Sequence, residues 1–389
     1  MPTLSLAPAS TADYRLLAEK RLPRLLFDYI DGGSYDEATL RANVADMRPL
    51  LLRQRVMRDV SAIDTKIDLL GERWAFPTAL APLGMAGMMS RRAELQAVGA
   101  ADAFGIPFCL STMSICSLEE VAKVARRPFW FQLYMFRDRG AIVELLRRAE
   151  AAGCRTLVFT VDLAMIGARY RDVRNGMVGA SSMWQRLRGR LLEYAAHPRW
   201  AYDVGLRGAP HSFGNIAPFV SAARPSIDDT LAWVGSQFDA SVTWQDIEWL
   251  RSVWKGNLVI KGVLHPEDAI AAADAGADAV IVSNHGGRQL DGVSSAIAML
   301  PRVAEAVAGR VPLLMDGGVR GGLDVIRVLA SGASAALIGR PWIWALAARG
   351  QPGLLALLRM FKSEMKAGMA LTASTKVSEV NGDVIDRQG

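Results

Sequence analysis

Of the four histidines in this 389-residue chain, one stands in a setting suited to chemistry. His285 lies in SNHGGRQLDG, residues Ser283–Gly292, directly after an apolar run. A neutral imidazole accepts a proton near pH 7. Three residues on, Arg288 carries a planar guanidinium that forks onto a carboxylate with two parallel hydrogen bonds. Base and clamp together suit proton abstraction beside a carboxylate. Gly286 and Gly287 between them permit a ligand close to the backbone. The bland alternative is a histidine capping a turn, with Arg288 in solvent.

Further residues extend this picture. MDGGVRGG (Met315–Gly322) and IGR (Ile338–Arg340) are Gly-rich turns whose backbone N–H groups, followed by a helix N-terminus, favour an anion. Arg320 and Arg340 add charge-assisted bonds, so the pair predicts a phosphate-bearing ligand. No GxGxxG follows an early strand, so this is not a dinucleotide fingerprint. Lys261 sits inside the apolar VIKGV, where an ammonium is costly unless paired or functional. FQLY (Phe131–Tyr134) offers the Gln132 amide to a heteroaromatic ring and the Tyr134 hydroxyl to a substrate oxygen. TVDLAMIGARYR (Thr160–Arg171) supplies Asp162, able to orient His285 and stabilise its protonated form. It also supplies Arg169 as a second carboxylate clamp.

These groups need elements that bring them together. Eight apolar runs read as strands: Phe76–Pro82, Pro107–Thr112, Phe129–Tyr134, Thr156–Asp162, Leu258–Val263, Ala279–Asn284, Pro312–Gly317 and Ala335–Gly339. They are continuously apolar, as strands buried on both faces are. Amphipathic stretches such as Asp138–Ala152, Pro266–Ala275 and Gly322–Ser331 read as helices between them. Eight βα units predict an α/β (β/α)8 TIM barrel, with catalytic residues at strand C-terminal ends and phosphate at the last two strands. The expected organisation is a single domain over residues 1–389. Residues 1–74 form an N-terminal extension, helical around Tyr14–Asp31. A long insertion, about Asn175 to Arg224, separates strands four and five.

The insertion is basic and aromatic. Ser181–Pro210 holds Arg186, Arg188, Arg190, Arg199 and Arg207 against Glu193 and Asp203, interleaved with Trp184, Leu187, Leu191, Leu192, Tyr194 and Trp200. That mixture suits a segment in the interface of an anionic membrane surface, or else a lid with a solvated basic face. Elsewhere composition mostly excludes. The net charge is +6, but no basic run with interleaved aromatics marks a nucleic-acid stripe. Three cysteines and four histidines show no metal-ligand spacing and no disulfide framework, so no metal is expected and a reducing compartment fits. No run of eighteen apolar residues and no secretory signal is expected.

SNHGGRQLDG, DGGVR and FQLY together identify a resemblance, running from LPRLLFDYIDGGSYDE (Leu22–Glu37) almost to the C-terminus. The chain resembles the FMN-dependent L-2-hydroxy-acid oxidising enzymes. RPFWFQLYMFRDRG, TLVFTVD, IGARYRD and HPRWAYDVG carry a closer likeness to the membrane-associated, quinone-linked L-lactate dehydrogenases. The resemblance implies FMN as cofactor, with His285 as catalytic base and Asp162 its partner. It implies Arg169 and Arg288 on the substrate carboxylate, and Tyr29 and Tyr134 on hydroxyl or carboxylate. It places Ala81, Pro82, Leu83, Ser111, Gln132, Thr160 and Lys261 about the flavin, and Ser283, Asp316, Gly317, Gly318, Arg320, Gly339 and Arg340 toward ribityl and phosphate. L-lactate is the implied substrate, with mandelate or glycolate as alternatives. A membrane quinone is the implied acceptor, with oxygen as the alternative. The location implied is peripheral, on the cytoplasmic side of the inner or plasma membrane, and the assembly a homo-oligomer, by resemblance a tetramer. Leu83 and Ala164 depart from the family's usual pattern, Met113 and Met165 add bulk or flexibility near the substrate mouth, and Gly84 matches the dehydrogenases better than the oxidases. The rival class is a non-redox, phosphate-binding barrel isomerase or lyase using the same His285.

Overall fold

A computed structural model describes residues 7–176 and 192–386. Its strands are β1 (Ile67–Leu69), β2 (Glu72–Trp74), β3 (Thr78–Leu80), β4 (Cys109–Ser111), β5 (Trp130–Leu133), β6 (Thr156–Thr160), β7 (Asn257–Val263), β8 (Ala279–Val282), β9 (Leu313–Met315) and β10 (Ala335–Ile338). The last eight lie in the order β3-β10-β9-β8-β7-β6-β5-β4, paired in parallel. A bridge between Leu80 and Phe108, with the Leu80 amide donating to Pro107 O at 2.9 Å, closes the ring. Each apolar run predicted as a strand is one, and the architecture is the predicted (β/α)8 barrel.

The two-residue period of a strand decides what faces inward. Ala79, Ala81, Cys109, Trp130, Val158, Val259, Ala279, Ile281, Leu314, Ala335 and Leu337 form one buried cluster, filling the barrel. Their neighbours Leu110, Phe131, Leu157, Phe159, Ile260, Val280, Val282, Met315 and Ile338 belong to the outer core, against the helices. Stepping two residues toward the carboxyl end of the seven strands β4 to β10 gives Ser111, Gln132, Thr160, Lys261, Ser283, Asp316 and Gly339. The interior is therefore apolar below and polar at its mouth.

The helices have local causes. Asp138 caps Arg139–Ala151, its carboxylate accepting from the Ala141 amide at 3.0 Å. Pro266 opens Pro266–Asp274 at a position where its missing N–H is harmless. The N-terminal helical stretch is formed by two helices, Thr11–Arg21 and Arg24–Asp31. Pro23 separates them, because proline disfavours helix in the residue before it.

Three features were not read from the sequence. The β1–β2 hairpin plugs the amino end of the barrel with fully buried Trp74, whose ring lies 5.5 Å from that of Trp130. Helices Ile227–Gln237 and Trp244–Val253 precede β7. The C-terminal helix Arg340–Leu371 is kinked at Arg349–Gly350. In the insertion, Trp184, Arg186, Leu187, Arg188, Arg190 and Leu191 lie outside the described residues. Beyond them Trp200 is buried, and its indole donates to Met88 O at 2.8 Å, which seats the insertion on the loop after β3. Among the described residues no helix is long and apolar enough to cross a membrane.

The plug carries a test. Truncating a fully buried tryptophan removes its contacts and leaves a cavity, a loss of roughly 3–5 kcal/mol. Trp74→Ala is expected to lose about that much in denaturant unfolding, and a loss under about 1 kcal/mol would show that the barrel closes without the hairpin.

Candidate active site

The polar layer at the mouth is knitted across strands. Lys261 Nζ lies 3.0 Å from Asp316 Oδ2 and donates to Ser283 Oγ at 3.1 Å. Ser283 in turn donates to Asp316 and accepts from the His285 amide at 3.0 Å. Burial pushes the Lys261 ammonium down, but Asp316 and Asp162 outweigh it and hold Lys261 above the usual lysine range. Lys261 is thus an ion-paired cation that also faces the mouth, so the two readings of this residue coincide. On the opposite wall Ser111 Oγ donates to Gln132 Oε1 at 3.0 Å. Gln132 Nε2 and Thr160 Oγ1 are buried without a partner. A buried polar atom left unsatisfied costs on the order of 1–3 kcal/mol, so the two point to a ligand with polar ring edges. Ala81, Pro82 and Leu83 run beside them after β3, with Ala81 O accepting from the Trp342 indole at 3.0 Å. An acceptor- and donor-rich flavin ring fits this wall, beside the Lys261 cation.

Above the layer, His285 Nδ1 lies 2.9 Å from Asp162 Oδ1. Burial pushes the Asp162 carboxyl up, yet His285 and Lys261 more than offset it, and it sits below the usual carboxylate range. The bond bridges the ends of β6 and β8, passing over β7. Room for it comes from Gly262, where the β7 pairing slips register and the backbone has φ +102. A Cβ there would lie 2.5 Å from Asp162 Cγ. The Gln289 amide donates to Asp162 O at 2.8 Å and Met165 O at 2.9 Å, pinning the loop that carries Asp162. Neither Gly262 nor Gln289 stood out in the sequence. Gln289 lies within SNHGGRQLDG and was open to notice; the register slip leaves no pattern in the residues.

The clamps gather on Tyr29. Arg288 lies 4.9 Å and Arg169 5.9 Å from its ring centroid. Arg288 donates to Tyr29 O and, at 2.9 Å, to Gly32 O. Burial and then Arg169 push the Arg288 guanidinium down to about 10. Arg169 Nε is buried without a partner, and Asp172 is 4.0 Å from its guanidinium. Burial holds the Asp172 carboxyl above its usual range, despite Arg288 and Arg169. Two guanidiniums so buried and so thinly compensated fit an anionic ligand. Tyr134 is drawn to the same place; burial, then Asp162, pushes its phenol up, so it stays protonated. Behind it lies a cavity of about 310 Å³ lined by Leu163, Phe238, Trp244 and Ile247.

The predicted phosphate loops meet at the other side of the mouth. Arg340 donates to Asp31 O at 3.1 Å, Gly286 O at 3.0 Å and Gly32 O at 2.7 Å. It therefore ties the N-terminal extension to the loop after β8. Arg320 stacks 5.2 Å from the Trp344 ring centroid. Burial pushes both guanidiniums down, Arg320 to about 10, with Arg288 and Arg320 adding repulsion at Arg340. The charge excess suits a phosphate here. Gly317 and Gly318 have φ +92 and +86, and a Cβ on Gly318 would lie 1.8 Å from Asn43 O. Gly318 is thus small because helix Ala38–Ala45 approaches it, a packing reason invisible in the motif. Asn43 and Asn284 exchange side-chain hydrogen bonds of 2.8 and 2.9 Å beneath it, a link that sequence reasoning missed.

Comparison with known proteins agrees with this geometry. The chain is 53% identical over 377 residues to an L-lactate dehydrogenase of Caulobacter vibrioides, covering 97% of each chain. It is 50% identical over 381 residues to an L-lactate dehydrogenase of Alcaligenes faecalis, covering 98% of this chain and 99% of that one. The structure of (S)-mandelate dehydrogenase, a monotopic membrane protein, superposes with a TM-score of 0.91 at 33% identity, covering 98% of this chain and 100% of that one. Mandelate oxidase with benzoyl-formic acid superposes with a TM-score of 0.80 at 38% identity, covering 96% and 97%. The FMN-dependent dehydrogenase family matches residues 18–387. A barrel mouth fitted to a flavin, and a match over nearly the whole chain, lead to one conclusion: the chain belongs to the family of FMN-dependent dehydrogenases.

Proposed function

We propose that the protein is an L-lactate dehydrogenase that oxidises its substrate to the 2-oxo acid through FMN, with His285 as the base. The observation that carries this reading is the His285–Asp162 bond of 2.9 Å beside two thinly compensated guanidiniums, Arg169 and Arg288. Relatives named L-lactate dehydrogenase at 50–53% identity favour lactate. Mandelate is the second reading, favoured by the 0.91 superposition on (S)-mandelate dehydrogenase.

When bound, FMN supplies an acceptor for the two electrons that leave the substrate. Ala81, Pro82, Leu83, Ser111, Gln132, Thr160 and Lys261 would hold its ring, and Ser283, Asp316, Gly317, Gly318, Arg320, Gly339 and Arg340 its ribityl chain and phosphate. Arg169 and Arg288 hold the substrate carboxylate, and the phenols of Tyr29 and Tyr134 bond its remaining oxygen. With Nδ1 directed to Asp162, Nε2 of His285 is the nitrogen left to take the substrate's proton. Asp162 stabilises the imidazolium that results. A membrane quinone is the electron acceptor that this reading implies, and the insertion would dock the enzyme, a homo-oligomer, on the cytoplasmic face of the membrane. That docking is supported by the monotopic neighbour and by the exposed Leu192, Tyr202 and Leu206.

Anaerobic bleaching tests the reaction. L-lactate is expected to bleach the bound flavin and yield pyruvate, faster than L-mandelate or glycolate, whereas D-lactate leaves it oxidised. In His285→Gln, FMN should remain bound while bleaching by L-lactate slows by at least about 100-fold, the lower range for a positioned general base. Bleaching of that variant within tenfold of the parent rate would remove His285 from the mechanism, and failure of every L-2-hydroxy acid to bleach the parent would refute the reaction.

Lys261→Met leaves the Asp316 carboxylate buried and unpaired, a loss of about 3–5 kcal/mol when one partner of a buried pair is removed. The apoprotein should lose that much stability, and FMN should bind more weakly with a lowered reduction potential. Unchanged unfolding and an unmoved potential would place Lys261 outside the network.

A further inference from the structure

Away from the barrel mouth, a second cavity of about 420 Å³ is lined by Arg21, Arg91, Arg92 and Arg349, with Asp203 as the one carboxylate among its described lining residues. Four separate pieces of chain build it. Arg21 ends helix Thr11–Arg21, Arg91 and Arg92 close the loop after β3, Arg349 stands at the kink of the C-terminal helix, and Asp203 comes from the insertion. Gln96 fixes the walls, donating to Arg91 O at 2.6 Å and accepting from the Gln351 amide at 2.9 Å.

The charges do not balance. Asp203 lies 3.5 Å from both Arg21 and Arg91, so one carboxylate is shared by two guanidiniums. Glu120 meets one terminal nitrogen of Arg92, while the other, Nη1, is buried without a partner. A partly open guanidinium cluster whose described residues carry excess positive charge, with an unused donor on Arg92, matches the oxygens of a phosphate.

The surroundings say where that phosphate comes from. Tyr202 and Leu206 flank Asp203 on one turn of the insertion and are 60% and 70% exposed. Trp200, two residues before Tyr202, anchors that turn to the loop that carries Arg91 and Arg92. Exposed apolar side chains bordering a basic pocket are what an interfacial segment presents to a membrane.

We propose that this cavity binds a phosphate-bearing anion, and that the phosphate is that of an anionic lipid headgroup. The lipid source rests on the membrane docking proposed above; the anion site does not. Tyr202 and Leu206 enter the interface while Arg91, Arg92 and Arg349 close on the headgroup phosphate.

The test uses the full-length, FMN-loaded enzyme. Sedimentation is measured with phosphatidylcholine vesicles containing phosphatidylglycerol, or containing a carboxylate amphiphile at matched surface charge. Pyrophosphate binding is followed separately by calorimetry. The parent should prefer the phosphatidylglycerol vesicles, and Arg91→Gln/Arg349→Gln should weaken that partition by at least about tenfold, from the attraction of each basic residue to an anionic surface. Arg73→Gln/Lys255→Gln, an equal charge loss beside the β1–β2 plug, should change it by less than about twofold, because charges beyond a screening length contribute little. Pyrophosphate should bind the parent and not the cavity variant. Flavin bleaching by L-lactate in solution should be the same in all three proteins, so this test and that of the reaction fail separately. Pyrophosphate binding lost in the variant while vesicle partition is unmoved would keep the anion site and overturn the lipid source. Equal partition to phosphate and carboxylate vesicles, or equal weakening by both double variants, would overturn phosphate recognition. A cavity variant that binds vesicles and pyrophosphate as the parent does would overturn the proposal while membrane docking stands.

Discussion

The bond between His285 and Asp162 joins the ends of two strands that are not neighbours. β7 lies between them, and the contact exists because β7 presents Gly262, with no Cβ, beneath the Asp162 carboxylate. Much at the mouth follows from keeping that crossing in place. Gln289 holds the loop of Asp162 from above. Ser283 fixes the turn on which His285 adopts φ +56, a conformation uncommon outside glycine. The same slip of register that makes room at Gly262 follows directly on Lys261, whose charge helps to keep Asp162 ionised.

A second constraint is electrostatic. The mouth collects Arg169, Arg288, Arg320 and Arg340, where Arg169 raises the cost of charging Arg288, and Arg288 and Arg320 raise that of charging Arg340. The fold meets part of this cost with backbone carbonyls from the N-terminal extension, those of Tyr29, Asp31 and Gly32. The extension is itself held by Asp31, whose carboxylate takes bonds of 2.7 to 2.9 Å from Arg15 and Arg171. The remaining imbalance suits two anions, a carboxylate near Tyr29 and a phosphate near the last two strands. A site prepared in this way strengthens the interactions it makes with them, since its dipoles are already oriented.

Much of this was legible in the residues. The eight strands announce themselves as apolar runs, and a period of two carries seven of them into Ser111, Gln132, Thr160, Lys261, Ser283, Asp316 or Gly339 at the mouth. The groups singled out for chemistry do converge there. What escaped detection depends on contacts distant in sequence. β1 and β2 interleave Asp68, Glu72 and Arg73 with their apolar residues and so form no continuous apolar run, which hid the plug. Asn43 and Asn284 find each other across most of the chain. Gly318 reads as part of a phosphate turn, yet its proximity to Asn43 O is a matter of helix packing. Arg340 reads as a phosphate ligand, but three carbonyls already hold it, which no motif records. The cavity around Asp203 assembles from four distant pieces, and each of its arginines alone looks like a solvated surface charge.

The central claim is that Asp162 makes His285 an effective base by stabilising its protonated form. Asp162→Asn keeps the shape of the side chain and removes the charge. The decisive measurement is the anaerobic rate of flavin reduction by L-lactate in this variant, with FMN content and binding of a 2-oxo acid measured beside it. The account predicts that both ligands still bind and that reduction slows by at least about 100-fold, a loss in the range for disabling a positioned base. Reduction at close to the parent rate, with both ligands bound, would contradict it.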